Sequence, residues 1–202
     1  MFKKLKILFF NLFQLLLKVL PSTYACFLSN LRQTIMRRKI KFFYLRDKNL
    51  FKVESNFFTM FFNDKMRGFN TYAYGIKNRA QSLADTYHLN KIKFYDDDVF
   101  IDCGANYGDL FIWTLINKLK VKYISFEPSP EEYECIKLNC PGQININSAL
   151  SNSTGSYDFY LKSSSGDSSL VEPAGGFTKK IKVNTVTLKD FVLKNNLKRI
   201  KF

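Results

Sequence analysis

Histidine is nearly absent from this sequence, and the shortage limits the chemistry that the chain can perform. His88 is the only imidazole, and the four cysteines, at positions 26, 103, 135 and 140, show no CxxC spacing. We therefore expect no metal site of the Cys/His type and no hydrolase built on a Ser-His-Asp or Cys-His pair. Proline and glycine are also sparse, with 5 and 9 of 202 residues, which excludes collagen-like and low-complexity chains. Hydrophobic residues make up 46% of the chain, enough for a packed core.

Acidic residues are scarce at the N-terminus, so the net charge of +14 is unevenly distributed. Residues 1–48 contain 11 Lys and Arg and one acid, Asp47, whereas residues 49–202 contain 20 basic and 16 acidic side chains. The pattern predicts a basic N-terminal extension at 1–48 and a body of ordinary charge at 49–202. It argues against a nucleic-acid-binding protein and favours an extension that seeks an anionic surface.

The extension begins with an apolar stretch that is interrupted by polar residues. Twelve of the sixteen residues at 5–20 are apolar, and Asn11, Gln14 and Lys18 share one helical face. The stretch is shorter than the roughly 20 apolar residues that cross a bilayer. We interpret residues 1–20 as an amphipathic helix on an anionic membrane surface, ended by Pro21. A helix packed on this domain or on a partner, and a signal or anchor segment, remain alternatives.

The body alternates strand and helix signals, and the spacing of the middle elements is typical of a parallel sheet. Short apolar runs lie between segments of helical spacing, and a Pro-containing capping box at Ser129 opens one of the helices. The order βαβαβ predicts an α/β fold with a doubly wound parallel sheet. The predicted strands are 51–54, 57–62, 99–101, 121–126, 143–150, 157–161, 181–186 and one beginning at 199; the predicted helices are 76–90, 109–119, 130–139 and 188–196.

Candidate ligand-binding residues follow two of the strands in the predicted parallel sheet. Gly104 follows the first strand, and Glu127 comes 23 positions later at the end of the next, close to the spacing of an acid that binds ribose hydroxyls. Asn106 stands where a dinucleotide site has its middle glycine, and Asp102 would repel a pyrophosphate. The pattern therefore favours S-adenosylmethionine (SAM), which carries positive charge and no phosphate, over NAD. An NAD-dependent oxidoreductase and a turn without a ligand are the alternatives.

The segments VFIDCGANYGDL, ISFEPSPEEYECIKLN, INSALSNSTGSYDFY and GDSSL resemble the FkbM family of SAM-dependent methyltransferases. The resemblance covers about residues 70–202. It implies a Rossmann-like class I methyltransferase fold and O-methylation of a hydroxyl on a glycan or metabolite, which would be the acceptor substrate.

The resemblance also implies roles for individual residues, although it identifies no catalytic one. Glu127 would hold the ribose hydroxyls, and Ser148 and Ala149 would lie near adenine. Ser168 and Ser169 match a family loop without an assigned role. The methionine and ribose part of the cofactor site would be lined by Asp102, Gly104, Ala105, Asn106 and Gly108.

This chain departs from the family pattern at its C-terminus. Family members continue beyond the strand that starts at Arg199 into an acidic D-V-E-G-like motif, which is not present here. We therefore expect a sheet that is incomplete at the C-terminus. The alternative function is an inactive remnant or interaction protein that retains a SAM-type pocket. For an active enzyme we expect a cytoplasmic location, peripheral on the inner face of the membrane.

Overall fold

The computed structural model describes residues 2–162 and 168–202, which form a mixed α/β fold. The chain begins with two helices, α1 (Phe2–Val19) and α2 (Ser22–Ile35). Pro21 separates them, as predicted for the end of α1, but α2 was not predicted. None of the described helices is both long enough and apolar enough to span a bilayer.

An antiparallel sheet follows the helical pair. Its strands are β1 (Ile40–Leu45), β2 (Leu50–Ser55) and β3 (Phe58–Phe62), paired in the order β1-β2-β3. The second and third match the predicted strands, whereas β1 was not predicted. The predicted boundary between the N-terminal extension and the body, at residues 48 and 49, falls in the turn between β1 and β2. These two strands pair along their full length.

Two helices connect this sheet to the rest of the body. α3 (Lys65–Thr71) begins at Asp64, whose side chain accepts a hydrogen bond from the Arg67 backbone N–H, and was not predicted. α4 (Ile76–Thr86) confirms the predicted helix but ends earlier than residue 90. His88, just after it, is exposed.

The predicted βαβαβ unit is confirmed. It consists of β4 (Val99–Cys103), α5 (Asp109–Ile116), β5 (Lys122–Phe126), α6 (Pro130–Asn139) and β6 (Ile144–Ile146), and its strands are parallel in the order β4-β5-β6. Near the C-terminus, Ile200 forms a parallel bridge with Val99, so β4 pairs with the last residues as well as with β5.

The prediction of one continuous strand at 143–150 is wrong. The segment divides into β6 and β7 (Ala149–Ser151), which belong to different sheets. The Asn147 side chain donates hydrogen bonds to the carbonyls of Glu127 and Pro128, which fixes the chain between the two strands. A side-chain anchor of this kind leaves no trace in hydrophobic periodicity.

The third sheet lies after this break. β7 pairs in parallel with β9 (Lys179–Thr187), which pairs antiparallel with β8 (Gly155–Leu161). Helix α7 (Leu188–Lys194) follows and confirms the predicted helix with an earlier end. Gly166 and Asp167 of the GDSSL segment lie outside the described residues.

Both faces of the parallel sheet are covered by apolar side chains, as buried parallel strands require. On one face, Phe100 and Tyr123 pack in the large core that includes residues of α5 and α6. On the other, Ile101 and Phe126 pack with residues such as Phe191 of α7. The carboxyl ends of β4 and β5 remain open at the edge of this packed unit.

Candidate functional site

A cavity of about 350 Å³ lies at the carboxyl ends of β4 and β5. In open parallel sheets this edge is where ligands bind. The cavity wall combines the turns after these two strands, side chains from α3 and α6, β7, β8 and residues 168–170. Its lining residues are Arg67, Cys103, Gly104, Asn106, Glu127, Pro128, Ser129, Glu132, Ala149, Leu150, Phe159, Ser168, Ser169 and Leu170.

Glu127 is a buried carboxylate in the wall of this cavity, with 6% of its surface exposed. Its Oε2 accepts a hydrogen bond from the backbone N–H of Asn106 at 2.8 Å, and its Oε1 accepts one from that of Ser129 at 2.9 Å. Burial raises the pKa of Glu127 to about 7, although both backbone hydrogen bonds act in the opposite direction. Because each carboxylate oxygen has a second acceptor position, Glu127 retains capacity to bind two neighbouring hydroxyls.

Gly104 gives the cavity free space beside Glu127. It has φ +70, and a Cβ added there would meet no atom within 4 Å. The backbone N–H groups of Gly104 and Ala105 both donate to the carbonyl of Phe126, at 2.8 and 3.0 Å. With the Asn106 N–H bonded to Glu127, three consecutive amides of this turn already have protein acceptors. A phosphate would have to displace them, so the turn suits a ligand that needs no anion cradle.

Two residues predicted to line the cofactor site lie beneath the cavity. Asp102 faces the α5 side of the sheet, and its Oδ2 accepts a hydrogen bond from the Tyr123 hydroxyl. Burial raises the pKa of Asp102 to about 6. Gly108 packs against the end of α6, where an added Cβ would lie 2.4 Å from Cys140 Sγ. Asp102 and Gly108 therefore shape the turn from below, and the cavity wall does not include them.

The remaining predicted site residues divide between the cavity wall and its surroundings. Asn106 and Ala149 line the cavity together with Gly104 and Glu127. Ala105 is buried outside the wall, and Ser148 is partly buried outside it, with its N–H donating to the carbonyl of Ile146.

Arg67 lines the cavity, although no sequence pattern indicated it as a site residue. Its Nη2 lies 2.6 Å from Glu132 Oε1, and its Nε donates to the Tyr107 hydroxyl at 2.9 Å. The Arg67 and Glu132 side chains are only 9% and 11% exposed. Glu132 also accepts a hydrogen bond from the Ser129 hydroxyl, so Ser129 does not form the predicted capping box with a backbone N–H. A lone arginine in an unpredicted helix carries no motif that would have revealed it.

Cys103 is the one exposed cysteine, and it lies in the cavity wall. Partial burial of its sulfur raises the pKa of the thiol to about 11. Two further titratable side chains, His88 and Asp158, lie outside the cavity wall. His88 is exposed beyond α4, and Asp158 on β8 is paired with Lys180 and Lys182.

Comparison with known proteins identifies the family to which this site belongs. The family model of the methyltransferase FkbM domain matches residues 102–202, which is half of the chain. A search of curated proteins and a search of solved structures each found no match. The matched region contains every residue of the cavity wall except Arg67. It indicates methyl transfer as the class of activity, which requires a methyl donor, and the chain belongs to the FkbM methyltransferase family.

Proposed function

We propose that this protein is a SAM-dependent methyltransferase that methylates a hydroxyl group on a glycan or small metabolite. The observation that carries the proposal is the buried Glu127 carboxylate in the wall of the strand-end cavity. Because SAM is a cytosolic metabolite, we also propose a cytoplasmic location for the reaction.

The cavity residues fit SAM better than they fit a dinucleotide. Glu127 would accept hydrogen bonds from the two ribose hydroxyls, and Ala149 would lie on the adenine side. Gly104 leaves room for the ligand to approach the turn, since no side chain occupies that space. The backbone N–H groups of residues 104–106 already donate to protein acceptors, so they are not free to bind the pyrophosphate of NAD.

The topology supports the finer fold assignment of a Rossmann-like class I methyltransferase with a doubly wound sheet. After β6 the chain returns to pair Ile200 with β4, on a different edge from β5. Strand order therefore reverses at β4, and such reversals are where doubly wound folds place their ligands. The cavity lies at the carboxyl end of that strand.

When bound, SAM supplies an electrophilic methyl group on a sulfonium sulfur. The contribution of the chain is to hold the donor and the acceptor oxygen in line, which lowers the entropic part of the barrier. Glu127, ionised above its pKa of about 7, would fix the ribose. Gly104 and Asn106 would limit where the donor lies along the turn.

Calorimetric titration of the full chain with S-adenosylhomocysteine (SAH) tests the proposal. We expect micromolar binding that Glu127→Ala weakens by about tenfold or more, because a charge-assisted hydrogen bond is worth roughly 1.5–3 kcal/mol. Glu134→Ala is the matched control, because that carboxylate is 62% exposed and pairs with Lys137 at the surface. The melting temperature of each variant shows whether it folds.

A second pair of variants removes the risk that Glu127→Ala perturbs the turn. Gly104 and Gly142 both have positive φ, and an added Cβ would meet no atom at either position, but only Gly104 lines the cavity. Alanine therefore imposes similar backbone strain at both and should weaken SAH binding only at position 104. Folded wild-type chain that binds no SAH, or that binds NADH more tightly, would refute the proposal.

A further inference from the structure

The outward surface of the α1–α2 pair is apolar, which is unusual for a surface in contact with water. Its large side chains are between 38% and 68% exposed. A groove of about 690 Å³ runs between the two helices and is lined by residues of both, which makes the patch continuous. We refer to this surface as the hairpin face; it comprises Phe10, Leu12, Leu15, Leu16 and Val19 of α1 and Tyr24, Phe27, Leu31, Ile35 and Met36 at α2.

Helix α2 buries two polar side chains and exposes large apolar ones. Ser29 and Gln33, on its inner face, are 3% and 2% exposed. Within the described part of the chain, Ser29 Oγ and Gln33 Oε1 have no hydrogen-bond partner. The outer face carries Phe27 and Ile35, both 68% exposed. Water-facing helices place polar residues outside and apolar residues inside, so the outer face of α2 is suited to an apolar medium.

Helix α1 is attached to the body by Leu17, which is 1% exposed, and by hydrogen bonds to α3. The Gln14 amide donates to Asn70 Oδ1 of α3 at 2.9 Å, and Lys65 Nζ of α3 donates to the carbonyls of Lys18 and Leu20 at the end of α1. Of the predicted polar stripe, Gln14 therefore faces the protein, whereas Asn11 and Lys18 remain exposed. Other apolar residues of α1 point outwards, such as Leu15 at 57% exposure.

Charge defines the partner that this apolar surface fits. The first acidic residue of the chain is Asp47, and ten Lys and Arg precede it. Arg32 lies over the Phe13 ring at 4.9 Å beside the groove, and Arg37 and Lys39 are exposed just beyond α2. A second copy of the chain would bring the same positive charge to the interface and be repelled. An anionic bilayer offers an apolar interior and a negative surface together.

We propose that the hairpin face docks on an anionic lipid bilayer, with α1 and α2 lying in the membrane interface. The apolar side chains enter the acyl boundary, and the basic residues remain among the headgroups. Docking holds the protein at the membrane without a spanning segment. It does not depend on the identity of the ligand in the strand-end cavity.

Vesicle sedimentation of the full chain tests the docking. We expect the protein to pellet with phosphatidylcholine vesicles that contain phosphatidylglycerol, and to remain in solution with phosphatidylcholine alone. Phe27→Ser/Ile35→Ser should weaken binding by about tenfold or more. Phe57→Ser/Leu193→Ser is the matched control, since these apolar residues are at least as exposed but lie outside the hairpin face.

A separate variant tests the electrostatic contribution to membrane binding. Arg37→Gln/Lys39→Gln should weaken binding to anionic vesicles by about tenfold, because each basic residue near the surface contributes to attraction. The same change at the exposed pair Lys194 and Lys198, which lie at and beyond the end of α7, should have little effect. Raising the salt concentration should have the same direction of effect as removing the charges.

Several results would overturn the inference. These are absence of binding to anionic vesicles, equal binding to neutral vesicles, or equal losses in the Phe27/Ile35 and control variants. A dimer in solution that the Phe27→Ser/Ile35→Ser change dissociates, with no vesicle binding, would assign the hairpin face to a second copy instead. SAH titration of the same variants keeps failure of docking distinct from failure of the cavity to bind ligand.

Discussion

The Arg67–Glu132 ion pair offers a quantitative test of how α3 supports the cavity. Nη2 of Arg67 and Oε1 of Glu132 are 2.6 Å apart, with side-chain exposures of only 9% and 11%. Arg67→Met keeps most of the side-chain volume but leaves the Glu132 carboxylate without its cation. Removing one partner from a buried pair costs about 3–5 kcal/mol, because the remaining charge stays desolvated. We expect a loss of stability in that range.

A double-mutant cycle separates this effect from lost packing. In an Arg67→Met background, Glu132→Gln removes the stranded charge, so the double variant should be more stable than Arg67→Met alone. The pair Lys137 and Glu134 on the same helix α6 is 46% and 62% exposed and provides the control. Lys137→Met should change stability by about 1 kcal/mol or less, as is usual for surface pairs.

Urea unfolding followed by circular dichroism gives the free energy of unfolding for each member of the cycle. The reasoning is refuted if Arg67→Met costs no more than Lys137→Met. It is also refuted if the Arg67 and Glu132 effects simply add, because additive losses mean that the two side chains do not stabilise each other. Since Arg67 lines the cavity, SAH titration of the same variants shows whether the pair also shapes the ligand site.

Three further predictions concern the core and the cavity. Burial raises the pKa of Glu127 from 4.5 to about 7, so the folded protein holds this proton more tightly than the unfolded chain. The free energy of unfolding should therefore fall by about 3 kcal/mol as pH rises through that range. Glu127→Gln should reduce the difference between the free energies of unfolding that urea titrations give at pH 5 and pH 8. Gly68→Ala should destabilise the protein by roughly 1–3 kcal/mol, since its Cβ would lie 2.0 Å from the buried Phe62 ring, and Phe62→Leu should reduce that cost in a thermal melt. Alkylation of Cys103 should be measured at alkaline pH, because the pKa of its thiol is raised to about 11, and the product is detected by mass spectrometry. The reaction should slow when SAH is present. An unchanged rate would place the ligand away from this part of the cavity wall.

Local patterns in the sequence were sufficient for the central part of the fold. The βαβαβ unit from Val99 to Ile146 has short apolar strands, a glycine turn and a Pro-initiated helix, all of which act over a few residues. Gly104 and Glu127 could be predicted to lie close together because each directly follows a strand, and parallel strands have their carboxyl ends at the same edge of the sheet. The break at Asn147 was missed, since it depends on carbonyls about twenty residues earlier in the chain.

The sequence by itself determined which helical faces are apolar, where the parallel strands lie and which acid and glycine follow them. Only the tertiary structure decided what each face meets. Gln14 of α1 turns to Asn70, the Asp102 carboxylate turns to Tyr123, and Arg67 reaches the cavity from α3. Periodicity fixes the angle of a side chain around its own helix or strand. The residue that packs against that side chain comes from a distant part of the chain, and which residue it is depends on burial and charge pairing in the folded protein.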